Sequence, residues 1–525
     1  MSRLSSPRLE TGDIQGGVLI AYSRLGFPHG RHLLFHFADP AGGRAFVEAL
    51  RHRVTTALPW AKRGAPPGPD EVPRPEATLN LAFTFNGLWA LQVPTRTLRG
   101  LPDEFIDGMA ARAAILGDDV LDNTPDHWDE VWQPAPRGPA VHMLAMLSAQ
   151  DDGTGDPVSA FTALTDAVLA EVGRHKGVRL MEGFRGADRR WQDLHAIFED
   201  GEPTRHEHFG FVDAIGDPVF LGQYPDGAEH RKCRGQGAVN GKGEWRPIAT
   251  GEFLLGWPDE AQEIPGAAMP LDFSRNGTFF AYRKLHQHID RWDRWVEEAT
   301  GRLMSVWAIE NREAARELLL AKMAGRWRDG VPLIIAPTLD AWDRFNRDHP
   351  PGSPGRESRL TDFAYGGDPQ GIACPVTAHI RRANTRDMLD PWTGHGPKLQ
   401  LGSALNDRRR LLRRGLPYGA KDDPHGEHGI ILLAHCTSLM RQFEFVQQQW
   451  MHYGLDFNAG NDSCPIVGNH APGSRFVIAA DPASGRPPFV ASGLDQFVST
   501  RGGEYFFVPS LTALRMISVG VVDPT

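Results

Sequence analysis

An alternating run of side chains most constrains the fold of this chain. From residue 79 to residue 85, large apolar side chains alternate with smaller or polar ones, and a period of two is typical of a β-strand with one buried face. Apolar runs predict further strands at 17–22, 33–38, 141–147, 278–282, 430–434 and 505–508. Helical spacing or helix-forming residues predict helices at 41–55, 158–172, 290–327 and 439–451.

The order of these elements indicates the fold class. Strands and helices interleave without the regular cadence of a parallel βαβ fold. We therefore predict an α+β fold, in which antiparallel sheet packs against helices. The length of 525 residues suggests two to four domains of roughly 100–200 residues each.

Composition excludes several classes of protein. The net charge of −9 gives no reason to expect a nucleic-acid partner or an anionic membrane surface. No stretch approaches the ~18 consecutive apolar residues of a membrane-spanning helix. The four cysteines are too scattered for a disulfide framework. With no export signal near the first residues, we expect a cytoplasmic protein without a membrane partner.

One short stretch concentrates potential cofactor chemistry. Residues 374–387 read CPVTAHIRRANTRD, so His379 lies among Arg381, Arg382 and Arg386. A neutral imidazole beside fixed cations suits a metal held in an anionic organic frame. In haem, an axial histidine holds the iron and arginines can pair with the propionates. Taken alone, a single histidine in such a stretch is more often an ordinary histidine on a basic surface.

The stretch resembles the proximal-histidine motif of the dye-decolorizing peroxidases, a family of haem enzymes. Three further segments match the same family in the same order. Residues 207–218 (EHFGFVDAIGDP) are similar to its distal motif, residues 408–419 (RRRLLRRGLPYG) to the segment with its distal arginine, and residues 428–450 to the strand and helix over its haem pocket. Weaker matches at 13–19, 251–260 and 276–285 extend the resemblance almost from end to end.

The resemblance implies an architecture. The family is built from two ferredoxin-like α+β domains, with haem in the C-terminal half near their interface. For this chain we expect an N-terminal domain at 1–222, which carries the distal aspartate motif, and a haem-binding domain at 223–525.

The resemblance also implies catalytic roles. His379 matches the axial iron ligand, Asp213 the distal base and Arg413 the distal cation. Cleavage of peroxide needs a base that moves a proton and a cation that stabilises developing charge. Arg414 competes with Arg413, which we choose because two residues separate it from Leu416, as in the family's RxGxPYG spacing. Without the resemblance, Asp213 is also compatible with a helix or turn cap.

Four further residues are implied in cofactor binding. Arg386, and with less support Arg381, match arginines that would contact the propionates. Ile430 and Leu432 match positions on the distal face, where an apolar wall would exclude water.

The chain departs from the family pattern beside the predicted base. Ala214 stands where the family has the second glycine of its GxxDG motif, and Thr385 replaces a proline after His379. If the backbone at Ala214 has a positive φ, alanine costs about 1 kcal/mol and could displace Asp213.

Together these matches predict a peroxidase that uses haem b, which is iron protoporphyrin IX. It would reduce hydrogen peroxide and oxidise phenolic or dye-like small aromatic electron donors in one-electron steps. A homodimer is left open. The alternative is a haem-binding protein with little peroxidase activity, used in haem storage, sensing or handling.

Overall fold

Nine strands of the described chain form one antiparallel sheet. The structure is a computed structural model that describes residues 7–134, 138–186, 188–224, 226–239, 244–265, 268–389, 404–421, 423 and 425–520. The sheet consists of two similar groups of strands, one from each half of the chain.

The first half has the strand and helix order of a ferredoxin-like fold. Its elements are β1 (His29–Phe37), α1 (Pro40–Arg51), β2 (Ala77–Phe83), β3 (Met143–Ala149), α2 (Ser159–Arg174) and β4 (Val178–Leu180). The strands lie in the order β4-β1-β3-β2, and a further short strand, β5 (Gln192–His195), also pairs with β1.

The second half repeats this arrangement with longer connections. Its elements are β6 (Thr278–Gln287), α3 (Ile289–Trp307), α4 (Arg312–Ala324), α5 (Leu339–Asp348), α6 (His379–Ala383), β7 (Leu412–Tyr418), β8 (Gly429–Cys436), two π-helical segments (Leu439–Glu444 and Val446–His452), β9 (Val498–Val508) and α7 (Leu511–Val519). The strand order is β7-β8-β6-β9, and β9 joins the first half by pairing with β2.

The remaining elements are short. The other helices and helical turns are Gly16–Leu19, Tyr22–Leu25, Phe85–Ala90, Thr95–Leu98, Asp103–Asp107, Ala110–Arg112, Ala113–Leu116, Leu121–Asn123, Pro125–His127, Glu130–Trp132, Glu229–Lys232, Thr250–Glu252, Leu271–Ser274, Arg356–Arg359, Ala404–Asp407, Leu455–Phe457 and Pro482–Ser484. Two-stranded ribbons pair Phe198–Glu199 with Glu202–Pro203, Ala238–Val239 with Trp245–Arg246, and Arg475–Ile478 with Phe489–Ser492. No described helix is long and apolar enough to cross a membrane.

Local sequence explains where the principal helices begin and which face they bury. Helix α1 begins after Asp39, whose carboxylate accepts a hydrogen bond from the backbone N–H of Gly42 at 2.7 Å. The apolar stripe of α1, which includes Phe46 and Leu50, is fully buried. In α3, Trp292 and Val296 belong to a similar buried stripe, which packs in a second core with α4 and with the strands Arg475–Ile478 and Phe489–Ser492.

The α+β prediction and its two ferredoxin-like halves are confirmed. The strand predicted at 17–22 is wrong, because this segment is helical at Gly16–Leu19. The N–H groups of Gly16 and Gly17 donate to Thr55 O and Asn80 Oδ1 instead of to a neighbouring strand. Helix α7 was not predicted. It packs on α1 of the first half, although it lies near the end of the second half. The division of the chain into two domains at residue 222 stays a prediction.

A buried ion pair links the two halves of the chain. The side chains of Arg283 in β6 and Asp118 in the first half are 2% and 1% exposed. Arg283 Nη2 donates to Asp118 Oδ1 at 2.8 Å, and Thr500 Oγ1 donates to the same oxygen at 3.0 Å. Removing one member of such a pair leaves a buried charge without its partner.

We therefore expect Asp118→Ala to lower the free energy of unfolding by about 3–5 kcal/mol, measured by chemical denaturation of the haem-free chain. The control is Glu130→Ala, which breaks the exposed pair with Arg189 at 2.7 Å. Exposed pairs contribute about 1 kcal/mol or less, so equal losses in both variants would contradict the role of the buried pair.

Candidate active site

The pairing of β7 with β8 decides which side chains share a face of the sheet. Directly paired residues of antiparallel strands point to the same side. The pairs are Arg413 with Ala434, Gly415 with Leu432, and Pro417 with Ile430. Arg413 therefore lies on the same face as Ile430 and Leu432. Both apolar residues are partly exposed although β8 has neighbours on each side, whereas Ile431 and Leu433 on the opposite face are buried.

Arg414 points to the opposite face and has a structural role. Its guanidinium donates to the carbonyl oxygens of Gly17 and Val18 at 3.2 and 3.1 Å, and to Asp217 Oδ2 at 3.0 Å. Burial raises the pKa of Asp217, but the charges of Arg414, Arg24 and Arg413 hold it below its ordinary value. Of the two neighbouring arginines, only Arg413 shares the face of the apolar wall.

Arg413 reaches the other predicted catalytic residue. Its Nη1 donates to Asp213 Oδ1 at 3.3 Å, and its Nη2 donates to the carbonyl oxygen of Ile215 at 2.9 Å. The Asp213 side chain is 52% exposed and the Arg413 side chain 39%. The structure thus brings together a carboxylate and a guanidinium that are 200 residues apart in sequence, and both remain accessible to small molecules.

Ala214 has the positive φ that was considered from its place in the motif. Its φ is +61°, in the left-handed region where a side chain costs roughly 1–2 kcal/mol. The Ala214 N–H donates to Asp213 Oδ1 at 2.6 Å. The turn therefore keeps a contact with the carboxylate in spite of the strain, and Asp213 stays paired with Arg413.

His379 begins helix α6 and has a sulfur atom as its neighbour. Its Nδ1 lies 3.3 Å from Cys464 Sγ. Burial lowers the pKa of His379, but the charge and hydrogen bond of Cys464 raise it above the ordinary value. The charges of Arg413 and Asp213 also act on the pKa of His379, so the predicted ligand and the distal pair lie within electrostatic range of one another.

Arg381 does not fit the predicted contact with a propionate. It is fully buried, and its Nη1 donates to Asp368 Oδ2 at 3.0 Å and to Cys374 O at 2.6 Å. Its Nη2 donates to Asp368 O at 2.7 Å, and its Nε contacts Met388 Sδ at 2.8 Å. Nη1 and Nη2 thus hold the segment before His379 in place, and Nε contacts the segment after it.

Three other arginines form a buried group of positive charge. Arg326, Arg386 and Arg410 are 8%, 7% and 5% exposed, and their recorded partners are carbonyl oxygens. Within the described residues, none has a carboxylate oxygen within 4.0 Å. Burial, followed by the charge of Arg386, lowers the pKa of both Arg326 and Arg410 to about 10.

These residues fit haem. Haem needs one neutral imidazole to bind its iron and cations to pair with its two propionates. His379 offers the imidazole, and the guanidinium groups of the buried arginines form no ion pair with a carboxylate of the described residues. No cluster of three or more histidine, cysteine or acidic side chains within the described ranges is placed to hold a metal ion.

Known proteins resemble the chain in sequence over nearly its whole length. It is 27% identical to Peroxidase 2 of Mycetinis scorodonius, in an alignment that covers 97% of this chain and 88% of that protein. It is 25% identical to Dye-decolorizing peroxidase msp1 of the same organism, over 98% of this chain and 89% of that protein. The chain is a homologue of the dye-decolorizing peroxidases. No family model matches it.

Solved structures of dye-decolorizing peroxidases have the same fold. An ancestral D-type dye decolorizing peroxidase gives a TM-score of 0.71 at 22% identity, over 97% of this chain and 99% of that chain. A dye-decolorizing peroxidase in complex with 2,6-dimethoxyphenol gives a TM-score of 0.69 at 23% identity, over 97% and 100%. The resemblance predicted from the motifs is therefore confirmed: curated homologues over nearly the full chain are dye-decolorizing peroxidases, and solved structures of such enzymes share the fold.

Sequence reasoning missed three residues of this dye-decolorizing peroxidase homologue. Arg410 belongs to the basic run that gave Arg413, so the run itself was the available signal. Arg326 and Cys464 lie 53 residues before and 85 residues after His379, outside any recognised motif. Only the fold brings them to the site.

The strain at Ala214 generates a stability prediction. Ala214→Gly should raise the free energy of unfolding by up to about 1 kcal/mol, because glycine adopts a positive φ without steric cost. The measurement is chemical denaturation. The control is Ala163→Gly at an exposed position inside α2, where glycine should cost about 1 kcal/mol; a loss of stability at both sites would contradict the strain.

The buried arginine group generates a prediction about cofactor binding. Arg410→Met should weaken haem binding about tenfold, which corresponds to ~1.4 kcal/mol, within the range for a hydrogen bond to a charged group. The measurement is a titration followed at the Soret band.

Haem dimethyl ester is the control that tests whether Arg410 acts through the charge of the propionates. Haem dimethyl ester lacks both propionate charges, so it should bind the wild type and Arg410→Met with similar affinity. An equal loss for haem and for its ester would show that Arg410 acts through packing alone.

Proposed function

We propose that this chain is a peroxidase that uses haem b, reduces hydrogen peroxide, and oxidises phenolic or dye-like small aromatic donors in one-electron steps. The observation that carries the proposal is the Asp213–Arg413 pair, which lies on the same sheet face as Ile430 and Leu432. The charges of both residues act on the pKa of His379, which is half-buried. Homology with peroxidases over nearly the full chain supports the same class of reaction.

His379 would hold the cofactor iron through Nε2. Its Nδ1 already faces Cys464, so the tautomer with a proton on Nδ1 leaves Nε2 free as a ligand. Arg386 and Arg410 would hold the propionates by charge and hydrogen bonds. When bound, haem supplies the redox chemistry of the reaction.

Asp213 would move the proton that peroxide cleavage requires. Its Oδ1 accepts hydrogen bonds from Ala214 N and Arg413 Nη1. No partner of Oδ2 is recorded within the described residues, and this oxygen can take a proton from one peroxide oxygen and deliver it to the other.

Arg413 would orient Asp213 and stabilise negative charge. Its Nη2 is anchored on Ile215 O, which fixes the guanidinium beside the carboxylate. Such a fixed cation stabilises charge as it develops on the departing oxygen of peroxide. Ile430 and Leu432 would exclude water on the same face of the sheet.

Similarity supports the donor class. One structurally similar dye-decolorizing peroxidase is in complex with 2,6-dimethoxyphenol, a phenol. We extend that class to this chain as phenolic or dye-like donors. A cytoplasmic location, the absence of nucleic-acid and membrane partners, and a homodimer stay predictions.

The test is stopped-flow absorbance of the haem-loaded protein mixed with one equivalent of hydrogen peroxide at mildly acidic pH. The wild type should lose Soret intensity rapidly. Asp213→Asn should slow this step by about 10²–10⁴-fold, the usual contribution of general acid–base catalysis. Arg413→Leu should also slow it, because the fixed cation is lost.

Arg414→Leu is the control for Arg413. It removes the same charge from the opposite face of β7, so it should reduce stability and leave the peroxide step of haem-loaded protein unchanged. A wild type that binds haem fully but barely reacts with peroxide would contradict the proposal and favour the alternative of haem storage, sensing or handling.

A further inference from the structure

The contact of His379 Nδ1 is with a sulfur atom and not with a carboxylate. Within the described part of the chain, the one hydrogen-bond partner recorded for His379 Nδ1 is the thiol sulfur of Cys464, at 3.3 Å. A thiol is a weak hydrogen-bond acceptor. The group behind an iron-bound imidazole orients the ring and changes its basicity, so the identity of this atom matters for the cofactor.

The backbone holds Cys464 in a fixed position. Its N–H donates to Met451 O at 2.7 Å, and its carbonyl oxygen accepts from Gly468 N at 3.0 Å. His470 Nε2 lies 2.9 Å from the same carbonyl oxygen, and the other ring nitrogen of His470 lies 2.6 Å from Asp495 O. Cys464 is fully buried, so its sulfur has little freedom to leave the imidazole.

A second anchor ties the cysteine segment to the helix that carries His379. Arg382, one turn after His379 in α6, is fully buried. Its guanidinium donates to Trp450 O at 2.7 Å, Tyr453 O at 2.9 Å and Asp462 O at 2.5 Å. These bonds fix the 450–462 segment against α6, so they set the separation of Cys464 and His379 independently of the contact itself.

We propose that Cys464 is the positioning residue of the iron-binding imidazole. Its Sγ accepts the hydrogen bond from Nδ1–H of His379, holds the ring in the tautomer that presents Nε2, and through the strength of this bond sets the reduction potential of the iron. The inference rests on the proposed function, because it takes His379 as the iron ligand.

The strength of the acceptor should control the potential. A stronger acceptor increases the electron density on the imidazole, which favours ferric over ferrous iron. Cys464→Ala removes the acceptor and should raise the midpoint potential. Cys464→Asp supplies a stronger acceptor and should lower it. Cys464→Ser, the closest in size, should bind haem and shift the potential, because a hydroxyl oxygen and a sulfur atom accept hydrogen bonds with different strength.

The experiment is spectroelectrochemical titration of the haem-loaded protein, together with the iron–histidine stretching frequency of the ferrous form by resonance Raman spectroscopy. We expect Cys464→Ala and Cys464→Asp to differ by at least tenfold in the ferric–ferrous equilibrium, about 59 mV for one electron. The stretching frequency should fall in Cys464→Ala and rise in Cys464→Asp.

The matched control is Cys374→Ala. Cys374 is also fully buried and begins the segment that leads to His379, yet it has no recorded contact with the imidazole. Its substitution should leave the potential and the stretching frequency at their wild-type values.

Failure of the inference differs from failure of the proposed function. Haem-loaded Cys464 variants with wild-type potentials and frequencies would overturn the positioning role alone. If Cys464→Ala and Cys464→Asp do not fold, Cys464→Ser decides, and an unchanged potential in that variant overturns the role. An unchanged haem spectrum in His379→Ala would overturn the ligand assignment, and with it both proposals.

Discussion

A buried group of three arginine side chains is the constraint on which the rest of the site depends. Arg326, Arg386 and Arg410 are almost completely buried, and no carboxylate lies close enough within the described residues to pair with them. Desolvating a cation without a partner is costly. A fold that tolerates three such cations together is suited to an anionic ligand, and the carboxylates of haem meet this requirement beside an imidazole that can bind iron.

The sheet that both halves of the chain share positions the candidate catalytic side chains. Because β7 and β8 pair in a fixed register, Arg413 and Arg414 point to opposite faces. One arginine holds the N-terminal segment and Asp217, and the other reaches Asp213. A slip of one residue would exchange these roles. The hydrophobic pattern of β8, which fixes the register, therefore decides which arginine of β7 reaches Asp213.

Sequence predicted much of this arrangement and missed parts for physical reasons. One period-two pattern and several apolar runs identified six of the nine strands of the sheet, and the spacing of Gly415 and Leu416 distinguished Arg413 from its neighbour. The strand at 17–22 failed because Gln15 and its glycine neighbours bond to Leu81, Pro509 and Asn80, tertiary contacts that no local pattern reveals. For Arg381, the motif did not reveal that Asp368 binds its guanidinium.

Long-range contacts were the least predictable. Cys464 appeared to be one of four scattered cysteines, and only the packing of α6 against the 450–464 segment brings its sulfur to His379. The sulfur is held there by the backbone hydrogen bonds of Cys464 and by those of Arg382 to carbonyl oxygens. All of these contacts form only in the folded chain. A motif can indicate that a histidine binds iron, but it does not show which atom lies behind the ring.

The most direct test of this account is a crystal structure of the haem-loaded protein with diffraction data collected at the iron absorption edge. The account predicts one iron peak bonded to His379 Nε2, with Asp213 and Arg413 on the opposite side of the haem plane and the propionates beside Arg386 and Arg410. Iron bound by another residue, or haem with its propionates directed away from these arginines, would contradict it.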